Sequence, residues 1–315
     1  MLIETDQKRI LYKIARAYYE DGLTQKQIGK RFGLSRIKVS RMLRQARDQK
    51  IVQIYLSAPE EGRSDLEHAV ETKFGIDEVI TTLPSSYSRD GIIRALGPVA
   101  AEVLIRSIKG DEVIGLTWGS SLLSVVDSLP VEHWPAIRIV QMLGGMSQPD
   151  AEINGVDLTR RMAQSFEAKP IILSAPGIVN SVEVRNALIN DPAVSRTLAM
   201  AAAANVAVVG LGVFSQDSAV LQNEVFTQNE IDRLIAKGAV GDICLQFFNK
   251  HGDRIDDPIN NRIIGLELQQ IKRISRVIGV AGGEEKLEAI RAALIGKLIN
   301  VLVTDDRTAE NLLRS

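Results

Sequence analysis

Residues 24–44 read TQKQIGKRFGLSRIKVSRMLR. Apolar Ile28, Phe32, Leu34, Val39 and Met42 are spaced so that two short helices joined at Gly33 share one buried face, with small Gly29 where the helices cross. The spacing predicts a helix-turn-helix. Thr24 and Gln27 form a Thr-x-x-Gln capping box that starts the first helix, and Gly33 is the residue type that most easily takes the left-handed conformation of a tight turn. Ser35 caps the second helix, whose outward positions carry Arg36, Lys38, Ser40, Arg41 and Arg44. Guanidinium groups match base edges and phosphates, and hydroxyls match phosphates. Thr24, Gln25, Ser35, Arg36, Lys38, Ser40, Arg41 and Arg44 are therefore the candidate contacts to double-stranded DNA. A plain helical hairpin with a solvated charged face would explain the charge, but not the charge together with the apolar spacing, the small crossing residue and the glycine turn.

Upstream, residues 6–20 place Ile10, Leu11, Ile14, Ala15, Ala17 and Tyr18 on one helical stripe, which Asp21-Gly22 ends. Downstream, Ile51 to Leu56 is a strand-like run that could form half of a wing. The polar stretch 57–65, SAPEEGRSD, reads as a linker. The expected organisation is a DNA-binding domain over 1–56, that linker, and a body over 66–315. Charge follows the same division. Residues 1–56 hold 13 Lys+Arg against 5 Asp+Glu, a net +8, while the rest of the chain carries −9, so the overall −1 conceals a basic head on an acidic body.

The single cysteine, Cys244, excludes an internal disulfide, and His68, His133 and His251 share no metal-ligand spacing, so no metal or cofactor is expected. No basic-then-apolar leader is present, nor any apolar run of the roughly 18 residues a membrane span needs, and a cytoplasmic protein is expected.

From residue 66 the pattern alternates helices with aliphatic strands, at Glu78–Thr82, Val113–Thr117, Ile137–Met142, Pro170–Ser174, Val206–Leu211, Ala239–Phe247, Arg276–Ala281 and Ile299–Thr304. This predicts an α/β body: a mostly parallel, Rossmann-like sheet with helices on both faces. Several strands end in glycines, at Gly119, Gly144-Gly145, Gly210, Gly212 and Gly282-Gly283. Such turns gather at the carboxyl edge of an open sheet, where helix N-termini favour an anion. The turn Gly119-Ser120-Ser121 adds hydroxyl donors, and Gly283-Glu284-Glu285 is followed by the ammonium of Lys286, although glycine turns also occur for backbone geometry alone. Asp242, a carboxylate amid an aliphatic strand, needs a partner, either a structural donor or the hydroxyls of a polyol.

The chain resembles the SorC family of sugar-responsive bacterial transcription regulators. The resemblance rests on YYEDGLTQKQIGKRFGLSRIKVSRML in the head and on GLTWGSSL, Ser174-Ala175-Pro176, VGLG, GAVGDICLQFF, VAGGEEKLEAI and INVLVTD in this order in the body. It implies an effector domain similar to the sugar-phosphate isomerase and deaminase fold, used as a sensor of a sugar or sugar phosphate, in a homo-oligomer, a dimer or more commonly a tetramer, on operator DNA. It further implies that the Gly119–Ser121 loop and the GGEEK turn hold a phosphate with Lys286 as counter-charge, and that Asp242 binds sugar hydroxyls. The expected effector residues are Thr117, Gly119, Ser120, Ser121, Gly145, Gly212, Asp242, Gly283, Glu284 and Lys286. Gly177 departs from the aliphatic residue common after the Ala-Pro pair, so the identity of the family's effectors does not transfer. The alternative is an isomerase- or deaminase-like enzyme carrying a helical head; the residues supply no Ser/His/Asp set, and no catalytic residue is assigned.

Overall fold

Aliphatic residues at alternate positions of successive strands point to opposite faces, so a sheet built from them buries both. In the computed structural model, which describes residues 2–54, 63–145, 154–213 and 226–314, such a sheet forms the body. The chain divides into two compact units, Met1–Glu61 and Gly62–Ser315.

The first unit consists of helices Leu2–Tyr19, Gln25–Phe32 and Arg36–Asp48. Leu11, Ile14, Ala15 and Ala17 of the first helix pack with Ile28, Val39, Leu43 and Ala46, and Phe32, Leu34 and Met42 close the edges of this core. Tyr18 departs from the expected stripe: it is 37% exposed and stands edge-on to the Tyr19 ring, 5.0 Å between centroids. The strand-like run Ile51–Leu56 departs too. Ile51 and Val52 both donate to the Ala46 carbonyl, which folds the chain back under the third helix, and no strand forms as far as Ile54. Tyr55, Leu56 and the linker residues up to 62 lie outside the described residues.

In the second unit seven strands form one all-parallel sheet in the order β1-β10-β9-β5-β2-β3-β4. They are β1 Glu78–Thr82, β2 Val113–Leu116, β3 Arg138–Gln141, β4 Lys169–Ile171, β5 Val206–Gly210, β9 Arg276–Val280 and β10 Val301–Asp305. Alternation is visible along β5, β9 and β10: Val206, Val208, Ile278, Val280, Val301 and Val303 join the core on one face, and Ala207, Val209, Val277 and Leu302 that on the other. Proline cannot donate to a ladder, and Pro170 is accommodated because β4 is an edge strand, shortened to three residues.

The expected single strand Ala239–Phe247 is instead a hairpin. β7 Ala239–Ile243 and β8 Gln246–Asn249 pair antiparallel, with β6 Gly212–Val213 on the other side of β7. The turn residues Cys244 and Leu245 both have positive φ, 56° and 59°, the conformation a two-residue hairpin requires. The Asn-Gly or Asp-Gly signal that normally announces such a turn is missing. Asp242 compensates, accepting a hydrogen bond from the Leu245 N–H at 3.0 Å.

Candidate functional site

Consecutive strands run outward from β2 in one direction through β3 and β4, and from β5 in the other through β9 and β10. The β2/β5 boundary is thus the switch point of the sheet, where a crevice opens beyond the carboxyl ends. A cavity of about 120 Å³ lies there. Thr117, Gly119, Ser120 and Ser121 line it from beyond the end of β2, Gly212 from β6, Asp242 from the hairpin, and Lys286 from the turn after β9.

Gly119, at φ 149°, precedes the helix Ser120–Asp127. The first N–H that closes a helical turn is that of Leu123, donating to the Gly119 carbonyl at 2.9 Å. The preceding N–H groups have no helical acceptor and carry the positive end of the helix dipole. The hydroxyls of Ser120 and Ser121 beside them have no hydrogen-bond partner among the described residues, although Ser121 is only 4% exposed. Thr117 is held differently: its Oγ1 accepts the Gly210 N–H at 3.3 Å, tying the ends of β2 and β5 together.

Asp242 faces Gly212 across the β6–β7 pair, and a Cβ at Gly212 would collide with Asp242 Oδ1. One carboxylate oxygen is committed to Leu245; the group is buried, and burial pushes its pKa up to about 6 against the pull of the Leu245 N–H and of Lys286. The Lys286 ammonium is held below its usual range, first by burial and then by repulsion from Arg89, while Glu285 and Asp242 oppose the shift. Arg89, unanticipated from the sequence, also lines the cavity. It stands at the start of helix Arg89–Ser107, whose cap Ser88 accepts the Gly91 N–H at 3.2 Å. Two cations, the hydroxyls of Ser120 and Ser121 and a helix N-terminus thus line one cavity, a set of groups whose charge suits an anion.

Three expected effector residues are not among the lining. Gly145 pairs with Pro176 in an isolated bridge, its N–H donating to Ala175. The Gly283 N–H is already used, donating to Asp305 Oδ2 and Thr308 Oγ1 at 2.9 Å each, and Glu284 is exposed. Asp305 is thus a buried anchor for the turn that presents Lys286. At Gly177, a Cβ would approach the Gly144 carbonyl oxygen to 2.8 Å, so the departure from an aliphatic residue accompanies close packing of two loops. Cys244 lines the cavity as a buried thiol whose pKa burial raises, which leaves it protonated. No group of three or more His, Cys, Asp or Glu is arranged to hold a metal among the described residues, and no helix there is long and apolar enough to cross a membrane.

In the head, both bonds of the capping box are present, Thr24 and Gln27 each accepting from the other's backbone N–H. Gly33 adopts φ 67°, and a Cβ at Gly29 would stand 2.6 Å from the Leu34 carbonyl oxygen, so it is the turn between the helices that packs on Gly29 as closely as glycine permits. Ser35 Oγ accepts the Lys38 N–H at 3.2 Å and starts the third helix. Its buried face is Val39, Leu43 and Ala46. The opposite face, with Arg36, Ile37, Ser40, Arg41 and Arg44, lines a single groove together with half-buried Gln25 from the start of the second helix. Lys38 is exposed outside that groove, and Thr24 and Ser35 act as caps.

Residues 58–314 match the family described as "Putative sugar-binding domain", and residues 7–49 match "Sigma-70, region 4". The chain is 29% identical to the deoxyribonucleoside regulator of Bacillus subtilis (strain 168), over 99% of both chains. It is 32% identical to the transcriptional regulator LsrR of Enterobacter sp. (strain 638), over 98% of this chain and 93% of that protein. Its fold is similar to the crystal structure of the full-length sorbitol operon regulator SorC from Klebsiella pneumoniae, with a TM-score of 0.76 and 29% identity over 97% of this chain and 98% of that one. A helix-turn-helix head, a parallel α/β body with a cavity at its switch point, and full-length similarity to regulators establish that the chain belongs to the SorC family of sugar-responsive transcriptional regulators.

Proposed function

We propose that the cavity binds a sugar or, by preference, a sugar phosphate, and that its occupancy controls binding of the helix-turn-helix head to operator DNA of a carbohydrate operon. The observation that carries this is the meeting, in one cavity, of Lys286, Arg89 and the Gly119–Ser121 turn with the buried acceptor Asp242. The cationic side accommodates phosphate, and the free oxygen of Asp242 accepts hydroxyl protons, so the two ends of a phosphorylated polyol have opposite complements. Control follows if the effector binds one arrangement of the regulator better than another. The regulator acts as a homo-oligomer, a dimer or tetramer in the cytoplasm, on half-sites spaced by about 10 base pairs or a multiple.

Thermal denaturation with a set of sugars, polyols and their phosphates tests this reading, since a ligand selective for the folded state raises its stability. A phosphorylated sugar should raise the Tm and change operator affinity, while its unphosphorylated parent acts more weakly. Stabilisation by none of these compounds would remove the reading. As a regulator the chain has no need of turnover, and the described lining contains one carboxylate, Asp242, and no histidine with which to form an acid/base pair.

A further inference from the structure

Ile37 is 82% exposed, more than any other large hydrophobic side chain described. It occupies the second position of the third helix, between Arg36 and Lys38. With Ser40, Arg41 and Arg44 it forms a stripe at helical spacing, opposite the buried Val39, Leu43 and Ala46, and all four line one groove with Arg36 and Gln25. A branched apolar side chain here contributes nothing to the head's own core. Stray exposed apolar residues are common on proteins; this one is set at the end of the helix that enters the major groove in such motifs, amid groups suited to bases and phosphates. The one apolar group that the major groove presents is the C5-methyl of thymine.

We infer that Ile37 is a specificity-determining residue that packs against a thymine methyl in each operator half-site. The inference rests on the proposed DNA-binding role of the head. Arg36 and Arg41, on either side of Ile37, supply polar contacts to neighbouring bases or phosphates, and the isoleucine excludes a cytosine, which lacks the methyl and presents an N–H donor there.

The test uses the full-length protein and a duplex recovered by it from a random library. Each thymine is replaced in turn by deoxyuridine, which removes the methyl and nothing else. At one thymine per half-site the replacement should weaken binding about fourfold, ~0.8 kcal/mol at ~1.4 kcal/mol per tenfold. Ile37→Ala should bind thymine and uracil duplexes alike, and Ile37→Val, which keeps a branched apolar chain, should retain part of the discrimination. Being exposed, both variants should melt with the wild type. Indifference of the wild type to every replacement, or an undiminished penalty in Ile37→Ala, overturns the inference while leaving DNA binding itself intact. Recovery of no preferred duplex would instead overturn the DNA-binding reading beneath it.

Discussion

Gly212 stands opposite Asp242 across the β6–β7 pair so closely that a methyl group on Gly212 would occupy the space of Asp242 Oδ1. The absent side chain is what lets a buried carboxylate face the cavity. Gly212→Ala should displace that carboxylate at a cost of ~1–3 kcal/mol, typical of overpacking. The variant should melt at lower temperature and lose most of its response to a stabilising sugar, while binding operator DNA as the wild type does without effector. An unchanged ligand-induced shift in Tm would show that the position of Asp242 is immaterial to binding.

Asp242 also makes the body's stability depend on pH in a direction opposite to that of a salt-bridged carboxylate. Its pKa is pushed from 3.8 up to about 6, so between these values the folded state holds a proton that the unfolded state has released. Stability falls as pH rises through this window, and the burial cost is present in full above it. Two units correspond to ~3 kcal/mol as an upper bound. Asp242→Asn, whose side-chain oxygen still accepts the Leu245 N–H, should be the more stable protein at pH 7 without ligand. Melting curves from pH 4 to pH 7 should show the wild type losing its disadvantage as the medium becomes acidic. The same variant should respond poorly to sugars, because it gives up a charged acceptor for hydroxyls.

Burial first, and then repulsion from Arg89, hold the Lys286 ammonium below its usual range, and both cations line the cavity. A bound phosphate should relieve both effects. Lys286→Met should therefore reduce the response to a phosphorylated effector by tenfold or more, about the ~1.5–3 kcal/mol of a charge-assisted hydrogen bond. Arg89→Gln should reduce it less, since Arg89 is exposed. Response to an unphosphorylated sugar should change little in either variant. Titration of each protein with a sugar and with its phosphate separates these outcomes; equal losses for both compounds would place the cations elsewhere than at the phosphate.

The pattern of residues 24–44 revealed the head because every signal there is local: caps, a left-handed glycine and helical spacing all lie within a few residues of what they control. The body's strands were legible for a similar reason, their aliphatic alternation being fixed by burial on both faces. Arg89 was not, because its helix reaches the cavity only through the order of strands β1, β10 and β9. The hairpin at Cys244 and Leu245 was hidden because its turn lacks glycine and is held by Asp242 instead. Gly283 illustrates the converse: its glycine signal was local and visible, but its N–H is claimed by Asp305 and Thr308, more than twenty residues away in sequence.

Two substitutions in the head should impair DNA binding by different physical routes. Gly29→Val places side-chain atoms against the Leu34 carbonyl, where even a Cβ would stand at 2.6 Å, and should displace the turn that sets the third helix on the second. Operator and non-operator affinity should then fall together, with a loss of helical signal on melting. Arg41→Ala removes an exposed side chain from a helix whose core face is Val39, Leu43 and Ala46, so the fold should be unaffected. If Arg41 reads a base, discrimination at one position of each half-site should relax by ~1–3 kcal/mol; if it touches a phosphate, affinity should fall on all sequences and the slope of log affinity against log salt should shrink by about 1 per contact. Binding measured at several salt concentrations on matched and mismatched duplexes separates the two. Affinity, discrimination and salt slope all equal to those of the wild type would remove Arg41 from the interface.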